Sequence, residues 1–227
     1  MSSTNYAFIS NYAVYSAIAL FTVAFFAHAI EVAFSLRNSG DKTKFDFTRT
    51  KRSGDLGTVM VVLAFICLLV AVVSRGISAE RVPWGNMYEF SITGALAFTG
   101  AYIFALWKYK IRWLGLPVAI SVLLTLGTAI TVLYVPSAPL VPALKSAWLV
   151  IHVSAAMISG GVFLLANCIA GTYLILDRYE ENGGRPVWAL KLPTLEALDQ
   201  LSYRLVALVF PLWTFSVIAG AIWAEAA

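Results

Sequence analysis

The chain has only two histidines in 227 residues, and each has a neighbour at helical spacing. His152 follows Trp148 by four residues, so on a helix both lie on one face. Ala155, Ala156, Ser159 and Gly160 continue that face and its flank with small side chains. Such a surface would admit a flat ligand, or another helix, and the small-xxx-small spacing of Ala156 and Gly160 is that of helix–helix packing. An imidazole there could ligate haem iron through one nitrogen while a partner orients the other, or be a hydrogen-bonded structural histidine. His28 and Glu31, three apart, also share a face. They could be a ligand with its orienting carboxylate, a proton relay, or a satisfied polar pair.

A second concentration of polar and aromatic groups reads Arg81-Val82-Pro83-Trp84-Gly85-Asn86-Met87-Tyr88-Glu89-Phe90. Trp84, Tyr88 and Phe90 suit the headgroup region of a membrane. Asn86 and Glu89 are less expected in a mere anchor and point to a polar cluster shaped for a ligand. The two cysteines, Cys67 and Cys168, are far from any C-x-x-C pair and read as small packing residues. The chain has no Gly-rich phosphate loop, no G-x-S-x-G, no H-E-x-x-H and no EF-hand. Any reaction must therefore be carried by a cofactor or completed by another chain.

The elements that position these groups follow from composition. Hydrophobic residues make up 60% and charged residues 12% of the chain, and mean hydropathy is +0.80. A soluble domain is about half apolar and about a quarter charged. Uncharged blocks long enough to cross a bilayer, about 20 helical residues, occur at Tyr12–Phe34, Leu56–Ser74, Phe90–Trp107, Trp113–Tyr134, Ala147–Leu176 and Leu205–Ala224. His28 and Glu31 intrude in the first. These are not the short alternating strands of a barrel, and lipid cannot satisfy an open backbone. The expectation is an all-α polytopic bundle of six transmembrane helices, one membrane domain over residues 1–227. The first block has no basic leader and no small-residue cleavage site after it, so it reads as a retained span. Pro211 should kink the sixth.

Lys and Arg give the bundle a direction. Thirteen lie on one side: Arg37, Lys42, Lys44, Arg49, Lys51 and Arg52 in the first loop, Lys108, Lys110 and Arg112 in the third, and Arg178, Arg185, Lys191 and Arg204 around the fifth. Only Arg75, Arg81 and Lys145 lie on the other. The positive-inside rule puts both termini outside. The basic loops are topology signals facing the lipid bilayer, and no basic-aromatic nucleic-acid pattern accompanies them. The three-spaced prolines Pro136, Pro139 and Pro142 predict an extended segment across the outer surface before span five begins near Ser146.

Pro83-Trp84-Gly85-Asn86-Met87-Tyr88-Glu89-Phe90 resembles the Asn-x-Tyr-Glu motif of the CcsA-type (ResC-type) cytochrome c biogenesis proteins. The likeness continues in Pro139 to Ser146, Trp148-Leu149, Ile151-His152-Val153, Leu198-Asp199, Tyr203-Arg204, Phe210 to Thr214 and Gly220 to Ala224. It covers the chain from span two onward. It implies a haem-handling subunit of a cytochrome c synthase (System II), presenting haem b as a transported substrate on the outer face of a bacterial plasma membrane for attachment to apocytochrome c. His152 matches the first of the family's two outer haem histidines, an axial iron ligand. With it, Trp148, Trp84, Asn86, Tyr88 and Glu89 form the expected haem-binding set. His28 matches no assigned position. The implied partners are a CcsB-type (ResB-type) membrane protein and apocytochrome c. The family's Trp-rich haem loop would come just after Ala227, so the chain reads as truncated before it and not competent as a haem lyase alone. The alternative is a non-catalytic transport or assembly subunit for haem or another hydrophobic molecule.

Overall fold

The computed structural model describes residues 3–37, 47–109, 111–136, 147–185, 189 and 192–226, and none of these is in a strand. Six helices follow in order: α1 (Ser3–Arg37), α2 (Phe47–Ala79), α3 (Met87–Tyr109), α4 (Gly115–Thr131), α5 (Ala147–Glu181) and α6 (Leu195–Ala226), with one 3-10 turn at Arg112–Leu114 before α4. Each, α4 together with the 3-10 turn before it, provides a stretch long and apolar enough to cross a membrane. The protein is a multi-pass membrane protein.

All the helices except α4 outrun their apolar blocks. α2 starts nine residues before Leu56 and α6 ten before Leu205, so Lys51, Arg52, Asp199 and Arg204 sit on helix rather than in loops. Hydropathy locates hydrocarbon, but a backbone gains by staying helical into the headgroup layer. α6 is continuous through Pro211. The extended segment expected between Pro136 and Ser146 lies beyond Pro136 outside the described residues.

Two ends of the bundle can be named by the residues found there. At the Trp84 end, Ser10 Oγ donates to Ala71 O at 2.8 Å. At the His28 end, Ser53 Oγ donates to Ala27 O at 2.5 Å. α1 and α2 are therefore an antiparallel pair. α3 is the hub, in contact with α2, α4 and α5. Its buried Ile92, Phe98 and Tyr102 share one core with Phe21, Leu68, Leu126, Leu165 and Ile169. α5 lies against α3 where Gly161 has no side chain: a Cβ there would fall 2.9 Å from the Ala97 and Phe98 backbone. One turn earlier, Gly94 faces Met157 Sδ at 3.7 Å from its would-be Cβ. α3 and α5 thus run parallel, in a register that sets His152 level with the first turn of α3. α6 closes on the outside of α5 and buries least, 22% of its most apolar window.

Candidate functional site

At the Trp84 end, α2 stops in a turn that returns the chain toward α3. Glu80 takes φ 53, a left-handed conformation unusual for a side chain with a Cβ. Glu80 N–H donates to Ile77 O at 3.2 Å and Arg81 N–H to Gly76 O at 3.1 Å, a Schellman ending. The reversal aims Arg81 back at Glu89. Asn86 starts α3: its Oδ1 accepts the Glu89 N–H at 2.9 Å, an N-cap.

Glu89 is fully buried, and its carboxylate is surrounded by donors. Arg75 Nε donates to Oε1 at 3.0 Å, Arg81 Nη1 to Oε2 at 2.7 Å, and Gly85 N–H to Oε2 at 2.9 Å. A carboxylate taken out of water at this depth requires such partners. Arg75 is itself fully buried; it also donates to Val135 O at 2.5 Å and lies 5.2 Å over the Tyr88 ring. Tyr88 packs edge-on against Tyr134, whose hydroxyl accepts from Asn11 Nδ2 at 2.9 Å. One linked polar network therefore joins α1, α2, α3 and the segment after α4. Trp84 Nε1 is buried without a hydrogen-bond partner among the described residues.

His152 lies at the same height but faces the other way, onto α6. Its Nδ1 is 2.7 Å from Ser216 O, and Ser216 Oγ donates to His152 O at 3.3 Å. Trp148 Nε1–H donates to Ala219 O at 3.0 Å, and its ring meets Phe215 edge-on. Opposite the imidazole, α6 presents Gly220, where a Cβ would overlap His152 Cε1. Ser159, two turns further along the same face, is fully buried with a hydroxyl that bonds to nothing among the described residues.

The six residues read as a haem-binding set are thus divided. Tyr88 and Glu89 turn toward Arg75 of α2, Tyr88 also toward Tyr134 beyond α4, while Asn86 caps α3 itself and Trp84 Nε1 is buried in the turn before it. Trp148 and His152 turn to α6. Arg75, Ser216 and Gly220 carry no site role in the sequence reading, where Gly220 enters only as part of the likeness from Gly220 to Ala224. Arg75 reads there as one of three outer charges, directly after the uncharged block that ends at Ser74, and nothing in its spacing signals burial.

The His28 end holds a third polar group. His28 is fully buried; its Nδ1 lies 3.2 Å from Glu31 Oε2. Arg112, in the 3-10 turn before α4, donates Nη2 to Glu31 Oε1 at 2.9 Å and Nη1 to Asp55 Oδ1 at 2.6 Å. The imidazole is enclosed by two glycines. A Cβ on Gly57 would fall 2.7 Å from Nε2, and one on Gly115 would overlap it. That enclosure leaves no room for a porphyrin at His28. Among the described residues no three His, Cys, Asp or Glu side chains gather as a metal site. Cys67 and Cys168 are free thiols, the latter 3.9 Å from Ser121 Oγ.

Comparison with known proteins bears on residues 84–227, which match the family described as Cytochrome C assembly protein. That stretch opens on Trp84 and includes Glu89, Trp148, His152 and Gly220, while His28 precedes it. The cytochrome c biogenesis protein CcsA of Trieres chinensis is 28% identical over 211 residues, covering 80% of this chain and 68% of that relative. CcsA of Porphyra purpurea is 30% identical over 219 residues, covering 80% and 69%. CcsA of Picosynechococcus is 30% identical over 234 residues, covering 76% and 68%.

Proposed function

The chain belongs to the cytochrome C assembly protein family, and we propose from that premise that it presents haem outside a bacterial plasma membrane for attachment to apocytochrome c. Its part in cytochrome c biogenesis follows from the family; the haem-presenting role rests on His152. That imidazole lies within the matched stretch, near one end of a membrane helix, with Nδ1 held by a backbone carbonyl. A metal-bound histidine is oriented in this manner, through the nitrogen that does not touch the metal. The small residues Ala156 and Gly160 border it, and Gly160 has open space where a Cβ would be.

In this reading the Trp84 end faces outward, because the thirteen basic residues counted above belong to the opposite side. The whole chain acts as one membrane domain. Haem is the substrate: His152 takes one axial position on its iron and Trp148 stands beside it. The Glu89 network holds the ends of α1 to α4 in place. A CcsB-type membrane protein completes the synthase, and apocytochrome c supplies the thiols.

The test is haem absorbance of the full-length protein purified with its partner, with and without His152→Ala. Loss of the bound-haem spectrum at equal protein is expected. An unchanged spectrum and haem content would refute the assignment.

A further inference from the structure

We propose that Gly220 and the Ser216 carbonyl of α6 form a ledge that selects Nε2 of His152 as the nitrogen offered to haem iron. Gly220 is then a positioning residue. The proposal rests on the reading of His152 as a haem ligand and adds which atom is used and what holds it.

A carbonyl oxygen can only accept, so at 2.7 Å from Ser216 O the His152 Nδ1 must carry the proton. A neutral imidazole protonated on Nδ1 has its lone pair on Nε2. No hydrogen bond to Nε2 is present among the described residues. The ring reaches this pose only because α6 comes close, and it comes close only because residue 220 lacks a side chain: a Cβ would overlap Cε1 and fall 3.0 Å from both ring nitrogens. Two neighbouring contacts fix the same approach. Trp148 Nε1–H donates to Ala219 O at 3.0 Å, and Ser216 Oγ donates to His152 O at 3.3 Å. The pair of helices is therefore clamped on both sides of the imidazole, with Gly220 beneath it.

Removing a partner that orients a metal-bound histidine typically weakens metal binding by about 10- to 100-fold. Gly220→Ala is expected to do so here by pushing the ring off Ser216 O. Ser216→Ala keeps the carbonyl and should lower haem affinity less than Gly220→Ala does, since it removes only a neutral hydroxyl contact. Gly171→Ala, at a glycine of α5 well away from His152 with open space around it, controls for the substitution itself.

The experiment has two arms on the full chain in lipid bilayers. The first uses no haem: 15N-histidine labelling and solid-state NMR read the tautomer, and with two histidines in the chain the His152→Gln variant assigns the signals. The expected result is a protonated Nδ1 and a bare Nε2 at His152, with that signature shifted in Gly220→Ala alone. The second arm titrates haem. Gly220→Ala should lower affinity and alter the axial-ligand spectrum. His152→Gly and His152→Gly/Gly220→Ala should both regain that spectrum with free imidazole, because a detached ring does not need the ledge.

An unperturbed tautomer and haem spectrum in Gly220→Ala would overturn the ledge while leaving His152 as ligand. Failure of the double variant to recover where the single one does would show general damage and also overturn it. Haem binding that survives His152→Ala would sink the ligand reading instead, and the haem-free arm would still decide the ledge.

Discussion

The Glu89 network and the His152 ledge stand at one end of the bundle and at one height, yet they use polar groups in opposite ways. Around Glu89, donors and acceptors satisfy one another: two guanidinium groups and a backbone amide meet one carboxylate, and Glu89 and Arg75 are essentially without water contact while Arg81 is partly exposed. At His152 only one ring nitrogen is engaged among the described residues, by a carbonyl that no side-chain substitution removes. The first arrangement fastens helices. The second aims a side chain. Residue type and proximity to the membrane boundary do not separate these cases, whereas the direction each side chain faces does.

The difference is sharpest when Glu89 is replaced. Glu89→Ala leaves Arg75 buried and without its carboxylate, which costs about 3–5 kcal/mol when a buried pair is broken. Thermal unfolding in lipid nanodiscs should fall steeply, and cytochrome c maturation should fall in proportion to the protein remaining. If haem binding is lost while the melting temperature holds, Glu89 belongs to the haem site and the comparison collapses.

A milder effect is expected at the opposite end, in the same four-helix part. Gly57→Ala drives a methyl group into the buried His28 ring, 2.7 Å from Nε2. Overpacking of this kind costs about 1–3 kcal/mol, against a helix-propensity gain of up to about 1 kcal/mol. Net destabilisation is expected, and it should shrink in the His28→Ala/Gly57→Ala double variant because the two sites couple through one contact. Gly127→Ala, with nothing within 4 Å, should be neutral or stabilising. Equal penalties at Gly57 and Gly127 would mean that His28 is not enclosed as described.

His152→Ala should show the reverse balance. It removes a half-buried ring and a hydrogen bond, whose net contribution is about 1 kcal/mol, so unfolding should shift little while bound haem disappears. A large loss of stability there would make His152 another fastener.

The number and order of helices could be read from the chain because each span, Glu31 in the first excepted, is an uncharged block, and hydrocarbon forces that pattern. Their ends could not, since Lys51, Arg52 and Arg204 continue α2 and α6 beyond the apolar region by backbone hydrogen bonding alone. His28 with Glu31 was visible at helical spacing. Arg112, its third member, was not, because 81 residues separate it from Glu31 and local periodicity carries no information about such pairing. Arg75 looked like one more topology charge for the same reason. Gly57, Gly115 and Gly220 act by what they lack, and a missing side chain becomes meaningful only once the neighbouring ring is placed.

The smallest effect tests whether environment rather than geometry sets the contrast between ends. Arg112 Nη1 meets Asp55 Oδ1 at 2.6 Å, as short as any contact to Glu89, but the two side chains are 35% and 53% exposed. In water the same ion pair contributes about 0–1 kcal/mol and weakens further as salt screens it. Asp55→Asn should therefore change the unfolding temperature little at low salt and not at all in 1 M NaCl. Glu31 still holds the guanidinium in that variant, at 2.9 Å. A double-mutant cycle with Arg112→Gln isolates the pair. A coupling near that expected for a buried pair, about 3 kcal/mol or more, would mean that Asp55 is covered in the assembled protein, and the His28 end would then be a second fastened end rather than a wet one.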